Sequence, residues 1–525
     1  MKKQEIKKQS FSKGATILLA STIMVKIIGA LFKIPLSADY CLGDLGFGYF
    51  SSVYDIFTPF STLAISGFPV AIAKIISDDF AKSNEKKVIS DLKAAKRFFS
   101  VSSLLLFIII VCISLISGFV LKKSDSYIIM LTMAPAILFC FIASLYRGYF
   151  EGINNMQTPA VSNIIEAFCK LALGFTIAFA LVKYTGDLIL AASGAMLGIT
   201  IGTAFSAFYL KIKIKKSDIS LKDKNIPHSS SKEILKILIP IVCASLLGGI
   251  VVFIDTLTVR WRIDSLMPNN YNFICNLLGL NILPEVSEFS TFLYGIRSKA
   301  FTIFNLIPTL TTSIGIAIIP NVSGYLSAKD DVNLQKTIQT GLKIASIITM
   351  PVSFGLIFIG TPIMNFLYGD GTSLISGRLL SIYGVAAIFA GLVMLLTSVL
   401  QGLSKQSFVL KSFVIGLLIK LLLNIILIGI PEINIYGSAL STVFCYAFIF
   451  VSELALLIKS INFKLDFKDT VLKAVFSAVC CGIAAMLICK IGDSSLITML
   501  AIAVAGAVYL GCLLLTKTIK IVKII

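Results

Sequence analysis

Seven basic residues interrupt apolar stretches of this chain: Lys26, Lys33, Lys74, Lys170, Arg297, Lys299 and Lys420. Four acids do the same: Asp55, Glu166, Asp255 and Glu453. A charge placed near the centre of a bilayer costs about 2.5–3.5 kcal/mol on insertion scales, so such residues tend to face a wet cavity or a partner. Lys26 and Lys33 are seven positions apart, two helical turns, which puts both on one face with Gly29 between them. Lys26, Lys33 and Arg297 read as cavity residues; Asp55, Lys170 and Lys420 are further candidates. A cavity with excess positive charge suits an anionic substrate.

The remaining charges carry plainer readings. Lys74 lies near the end of its run, where a lysine snorkels to the headgroups. Lys299 faces either the cavity or the outer headgroups. Glu166 and Lys170 are spaced i,i+4, so they either neutralise each other or join the cavity. Asp255 and Glu453 lie near span ends and read as interfacial.

The elements that position these residues are membrane helices. The chain has 525 residues, 57% of them hydrophobic and 14% charged, against about 25% charged in a soluble domain. Fourteen apolar runs fall near 14–36, 47–76, 98–121, 127–150, 159–182, 188–210, 234–259, 290–320, 344–367, 379–401, 408–430, 435–458, 470–489 and 495–516. Each matches the roughly 20 residues that cross a hydrocarbon core. The expected fold is an all-α polytopic membrane protein with about 14 spans. The longest polar loops are expected over 211–233 and 260–289.

Charge sets the orientation. With the N-terminus inside, 32 Lys and Arg fall in the inner segments and seven in the outer loops. The positive-inside rule then places both termini in the cytoplasm, and it accounts for the net charge of +19 without a nucleic-acid partner. The basic N-terminus leads into a first span without a small-residue cleavage site and reads as an uncleaved helix.

An internal repeat divides the chain. Glu151-Gly-Ile-Asn-Asn155 and Lys170-Leu-Ala-Leu173 correspond to Gln401-Gly-Leu-Ser-Lys405 and Lys420-Leu-Leu-Leu423 at a common offset of 250, with six identities in 25 positions. Ala71, Ile72 and Ser77 correspond to Ala317, Ile318 and Ser323 at an offset of 246. Six spans separate the copies, so they run parallel, as in two-lobed transporters with a site between the lobes. The expected organisation is an N-terminal six-helix lobe over 1–210, a linker over 211–233, a second six-helix lobe over 234–458 and two additional helices over 470–516.

Other chemistries find little support. The one histidine, His228, lies in a polar loop, and the 11 cysteines sit mostly in apolar runs without a CxxC pair, so neither a metal nor a catalytic residue is expected. No GxxxxGK[ST] loop is present, so neither a nucleotide cofactor nor direct use of ATP is expected. Gly194, Gly198 and Gly202 form a small-residue ridge of the kind that packs helices closely. Pro59, Pro69, Pro308 and Pro351 fall within spans, where they can kink helices.

Ser10-Phe-Ser-Lys-Gly-Ala-Thr and Val25-Lys-Ile-Ile-Gly-Ala-Leu-Phe-Lys-Ile-Pro35 resemble the first span of the stage V sporulation protein B and MurJ-like lipid II flippase group of the multidrug/oligosaccharidyl-lipid/polysaccharide exporter superfamily. Ser66-Gly-Phe-Pro-Val-Ala-Ile-Ala-Lys74 resembles its second span. Arg147-Gly-Tyr-Phe-Glu-Gly-Ile-Asn-Asn-Met156 resembles the loop after its fourth, and Tyr294-Gly-Ile-Arg297 the start of its eighth. The resemblance implies a V-shaped, two-lobed fold of 12 helices plus two that offer a groove for a lipid tail. It also implies an undecaprenyl-pyrophosphate-linked sugar as substrate, flipped from the inner to the outer leaflet of the plasma membrane. Basic cavity residues of the group fall on Lys26, Lys33 and Arg297; proteobacterial relatives carry arginines at the first two, and another where this chain has a non-basic residue near Ser61.

Three alternatives stand beside a lipid II flippase. One is a flippase for another polysaccharide or teichoic-type precursor. The second is a drug/cation antiporter of the same superfamily, for which only Asp55 offers a coupling acid. The third is a scaffold that recruits cell-wall synthesis proteins, for which buried basic residues have no evident purpose.

Overall fold

The computed structural model describes residues 11–81, 85–119, 124–216, 231–280, 284–369, 371–461, 463, 468–492, 494–516 and 518. The basic start of the chain, His228 and most of the linker over 211–233 lie outside the described residues. The chain divides into two compact units, Met1–Thr256 and Leu257–Ile525, and the division falls inside a helix rather than in the linker. Among the described residues, 11 helices are long and apolar enough to cross a membrane, and the fold is all-helical as expected.

The first unit contains α1 (Phe11–Leu36), α2 (Gly43–Thr62), α3 (Phe68–Ala81), α4 (Glu85–Phe119), α5 (Ser124–Gly152), α6 (Gln157–Cys169), α7 (Phe175–Thr185) and α8 (Leu188–Lys216). α2 and α3 form one path through a π-helical turn at Leu63–Gly67, four residues after Pro59. Proline lacks the amide that would hold the preceding turn, which loosens the helix there. Ser144 Oγ of α5 donates to the Ala64 carbonyl in that turn at 2.8 Å, so the altered backbone finds a partner. A second π-helical turn, Lys170–Gly174, joins α6 to α7.

The core of this unit is aromatic: Phe32, Phe47, Phe50, Phe68, Phe99 and Phe141 are buried. A side chain at Gly198 of α8 would run into the backbone of Gly174, so close packing explains that position of the glycine ridge. α4 turns Val101, Leu104, Leu105 and Ile108 outward, the all-round apolarity that a lipid solvent requires.

The long helix α9 (Ser231–Leu278) begins in the first unit and continues into the second. It runs for 48 residues, so the expected polar loop over 260–289 is helical as far as Leu278. Arg260, Arg262 and Asp264 hid this continuation, because their polarity resembles a loop. Arg262 Nε in fact donates to the Ile425 carbonyl at 3.0 Å.

The second unit adds α10 (Phe289–Phe304), α11 (Leu306–Ser327), α12 (Asp331–Tyr368), α13 (Ser373–Gly402), α14 (Gln406–Ile428), α15 (Tyr436–Ile461), α16 (Lys473–Cys489) and α17 (Ser495–Leu515). α13 is its centre, covered along nearly its whole length. α12 bends at Ile359, between Pro351 and Pro362. Its N-cap Asp330 accepts from the Asn333 side-chain amide at 2.6 Å and from the Asn333 backbone amide at 3.1 Å, which holds the Asp330 carboxyl below its usual range. Tyr509 Oη of α17 donates to the Ile347 carbonyl of α12 at 2.8 Å.

The repeat is visible in backbone detail. Asn154 and Ser404, 250 positions apart, both take left-handed φ, at 59° and 60°. The amide of the next residue then bonds back identically, Asn155 to the Phe150 carbonyl and Lys405 to the Leu400 carbonyl, each at 2.8 Å. Gly152 packs on Ile76, and Gly402 packs on Val322, which reproduces the second offset of 246.

Candidate functional site

Two lysines converge on one tyrosine in the first unit, and a third lies on the face of α1 that carries one of them. Lys33, near the end of α1, places Nζ 4.5 Å from the centre of the Tyr54 ring. Lys170, at the start of the second π-helical turn, donates from Nζ to Tyr54 Oη at 2.9 Å. Lys26 is exposed, two turns before Lys33, and within electrostatic reach of Lys33, Lys170 and Tyr54. Gly29, on the same face, looks into open space. Tyr54 itself stacks on Phe50 at 5.5 Å, and Phe50 meets Phe32 edge-on at 5.9 Å. This aromatic stack fixes the phenol, and the electron-rich ring face offsets part of the repulsion among ammonium groups.

Tyr54 was missed by sequence reasoning, which searched for charges and gave weight to its neighbour Asp55. The available signal was a phenol in the same apolar run as Asp55. Asp55 is buried in the packing of α2, 6% exposed.

Lys170 and Glu166 do not pair. Glu166 Oε2 instead accepts from Arg147 Nη2 at 2.6 Å, and Arg147 also donates to Ser162 and Ser206, each at 2.8 Å. Arg147, read from sequence as an inner-loop charge, is 1% exposed. The second unit has the counterpart at the repeat offset: Thr397 and Ser412, matching Arg147 and Ser162, donate to Glu453 at 3.0 and 3.3 Å. Glu453 and Asp255, expected near span ends, are both fully covered by protein. Hydroxyl donors make burial of the Glu453 carboxyl tolerable.

Arg297 on α10 is fully covered in the second unit. Its guanidinium lies 4.6 Å from the Phe301 ring and 5.4 Å from the Tyr294 ring, and Nε donates to Tyr383 Oη at 3.1 Å. Lys299 is also covered, with Nζ 5.1 Å from the Tyr368 ring, rather than at the outer headgroups. Lys420, the repeat partner of Lys170, is buried and donates to Thr442 Oγ1 at 2.7 Å. One turn on, Asn424 donates to Thr258 Oγ1 at 2.8 Å. The same repeat position therefore holds a half-buried lysine beside a phenol in one unit and a buried, hydroxyl-bound lysine in the other.

Two ammonium groups on a hydrogen-bonding phenol, with Lys26 on the adjoining face of α1, can bind a multiply charged oxyanion, since charge-assisted bonds to phosphate are about twice as strong as neutral ones. Among the described residues no cluster of three metal-ligating side chains occurs, and the ten described cysteines form no disulfide.

The family model for "Polysaccharide biosynthesis protein" matches residues 11–323, and the model for "Lipid II flippase MurJ" matches residues 301–505. Three proteins of Bacillus subtilis (strain 168) are similar along most of the chain. The uncharacterized membrane protein YabM is 27% identical over 84% of this chain and 79% of its own length. Lipid II flippase MurJ is 25% identical over 95% of this chain and 94% of its own. Stage V sporulation protein B is 22% identical over 98% and 96%. Among solved structures, the inward closed conformation of a lipid II flippase MurJ superposes with a TM-score of 0.70 at 15% identity, covering 96% of this chain and 99% of that one. An inward-facing multidrug resistance MATE family transporter of the MOP superfamily gives 0.65 at 13%, covering 85% and 99%. A fold common to both, a repeat preserved to the hydrogen bond and a family match over more than half the residues converge: the chain is a multi-pass membrane protein belonging to the polysaccharide biosynthesis protein family.

Proposed function

We propose that this protein is a flippase that carries an undecaprenyl-pyrophosphate-linked cell-wall precursor, lipid II foremost, from the inner to the outer leaflet of the plasma membrane. The observation that carries this reading is the pair Lys33 and Lys170 on Tyr54, with Lys26 two turns before Lys33 on the same helix face. A diphosphate-sugar headgroup cannot cross hydrocarbon unaided, because its charges would lose their hydration. The lysines replace that hydration with ammonium donors. Lysine contacts phosphate as a compact point charge, without the fixed fork of arginine, which suits a headgroup that must be released as well as bound.

Alternating access between the two repeats moves the headgroup. Arg297, covered here by Phe301, Tyr294 and Tyr383, is the contact that the other state uncovers. Asp55 in the first unit and Lys420 in the second are each buried. The tail stays in lipid beside α16 and α17. An inside-negative potential favours outward passage of the anion by about 2.3 kcal/mol per charge per 100 mV.

The similarity to stage V sporulation protein B and to YabM supports a second reading within the class, a flippase for a related lipid-linked polysaccharide precursor. Reconstitution separates them. Proteoliposomes holding the purified protein and fluorescent lipid II are expected to expose the lipid to a membrane-impermeant quencher faster than protein-free liposomes. Movement of another undecaprenyl-pyrophosphate sugar, with lipid II static, would select the second reading; movement of neither would reject both.

A further inference from the structure

We propose that the first unit binds an anionic glycerophospholipid of the bilayer in a pocket between α4, α5 and α8, away from the lysine cluster on α1. This goes beyond the flippase reading and does not depend on it. The pocket has a volume of about 590 Å³, within the range of about 300–1,000 Å³ typical of small-molecule sites. Phe99, Phe139, Phe141, Ile142 and Phe205 give it an apolar lining. Lys96 and Lys211 also line it.

These two lysines lie toward one end. Lys96 is in the first part of α4 and Lys211 in the last turns of α8, the ends that adjoin the basic segments 77–97 and 211–236. Tyr146, likewise near the end of α5, completes that mouth. The deeper residues, Phe139 and Ile201, lie in the middle of their helices. A ligand matching this order has an apolar chain and an anionic head.

The bilayer is the source of that ligand. Phe205 and Phe208 on the rim are 52% and 61% exposed, and α4 beside them turns Val101, Leu104 and Leu105 outward. Rings and side chains of this kind are solvated by lipid in a membrane protein. Exposed Arg97 and Lys213 extend the positive charge beyond the pocket. Basic pockets between transmembrane helices at a headgroup level recognise anionic lipids. An acyl chain inserted among the phenylalanines, with its phosphate at Lys96 and Lys211, satisfies both halves of the site.

The single tryptophan of the chain, Trp261, provides the test. In a Trp261→Phe background, Phe208→Trp places the only tryptophan on the rim. The protein is reconstituted into nanodiscs of phosphatidylcholine containing either brominated phosphatidylglycerol or brominated phosphatidylcholine as a minor component. Quenching is expected to report a preference of roughly thirtyfold for phosphatidylglycerol, as two lysine contacts of about 1 kcal/mol each supply. Lys96→Gln with Lys211→Gln is expected to abolish the preference, and Lys96→Arg with Lys211→Arg to keep it. Equal quenching by the two lipids, or a preference that survives the glutamine pair, would overturn the proposal. Displacement of phosphatidylglycerol by equimolar undecaprenyl phosphate would also overturn it, by assigning the pocket to the substrate class.

Discussion

At Tyr54 the phenol performs two tasks that substitution separates. Its hydroxyl accepts from Lys170, and its ring lies under Lys33. Tyr54→Phe removes the first and keeps the second; a hydrogen bond to a charged group contributes about 1.5–3 kcal/mol. The variant is expected to flip about tenfold more slowly in proteoliposomes, and Tyr54→Ala, which also loses the ring, more slowly still. Equal rates for wild type and Tyr54→Ala would remove Tyr54 from the site. Arg147 illustrates a different role, since its bonds go to Glu166, Ser162 and Ser206 inside the first unit. Breaking a buried ion pair from one side costs about 3–5 kcal/mol, whereas replacing both partners with apolar residues is nearly neutral. Arg147→Met alone should lower the thermal unfolding temperature in detergent strongly, and the addition of Glu166→Leu should restore most of it. Sequence spacing marked Lys26, Lys33 and Lys170 as charges in apolar runs. It did not reveal that Tyr54 links Lys33 to Lys170, because a tyrosine in an apolar run carries no charge signal.

Among the elements, the helices with uniform apolar runs were the most legible, since length and composition define a span directly. α8 begins at the expected Leu188, and α13 ends at Gly402, one residue beyond its expected range. The misread segment was 260–278, where Arg260, Arg262 and Asp264 continue α9 because neighbouring helix backbone receives the Arg262 guanidinium. The break between α10 and α11 at Asn305 and the two π-helical turns were likewise absent from the hydropathy pattern. Those features depend on single residues such as Pro59, and on partners like Ser144 that tertiary packing supplies. Gly198 was legible as a packing residue, and the structure gives it a specific opponent in Gly174. Gly198→Leu is expected to destabilise the first unit by about 1–3 kcal/mol, as overpacking does, and to lower the yield of monodisperse protein. An unchanged unfolding temperature would show that α7 can shift to make room.

The two units keep a common turn at Asn154 and Ser404 but differ in charge. The first half offers half-buried and exposed lysines, whereas Arg297, Lys299 and Lys420 of the second half are covered. Orientation also belongs to this scale. The asymmetry of 32 basic residues against seven predicts both termini in the cytoplasm. Fluorescent protein fused after Ile525 should therefore fluoresce, and alkaline phosphatase fused there should be inactive; the reverse would invert the topology and the direction of transport. The central claim is that the lysines around Tyr54 carry a lipid-linked diphosphate. Its most direct test is rescue of a Bacillus strain depleted of its lipid II flippases, with Lys33→Ala and Lys170→Ala expressed alongside the wild type. The account predicts growth with the wild type and none with either variant at equal membrane abundance. Growth with both variants would contradict the basic site, and failure of an abundant wild-type protein would contradict lipid II as its substrate.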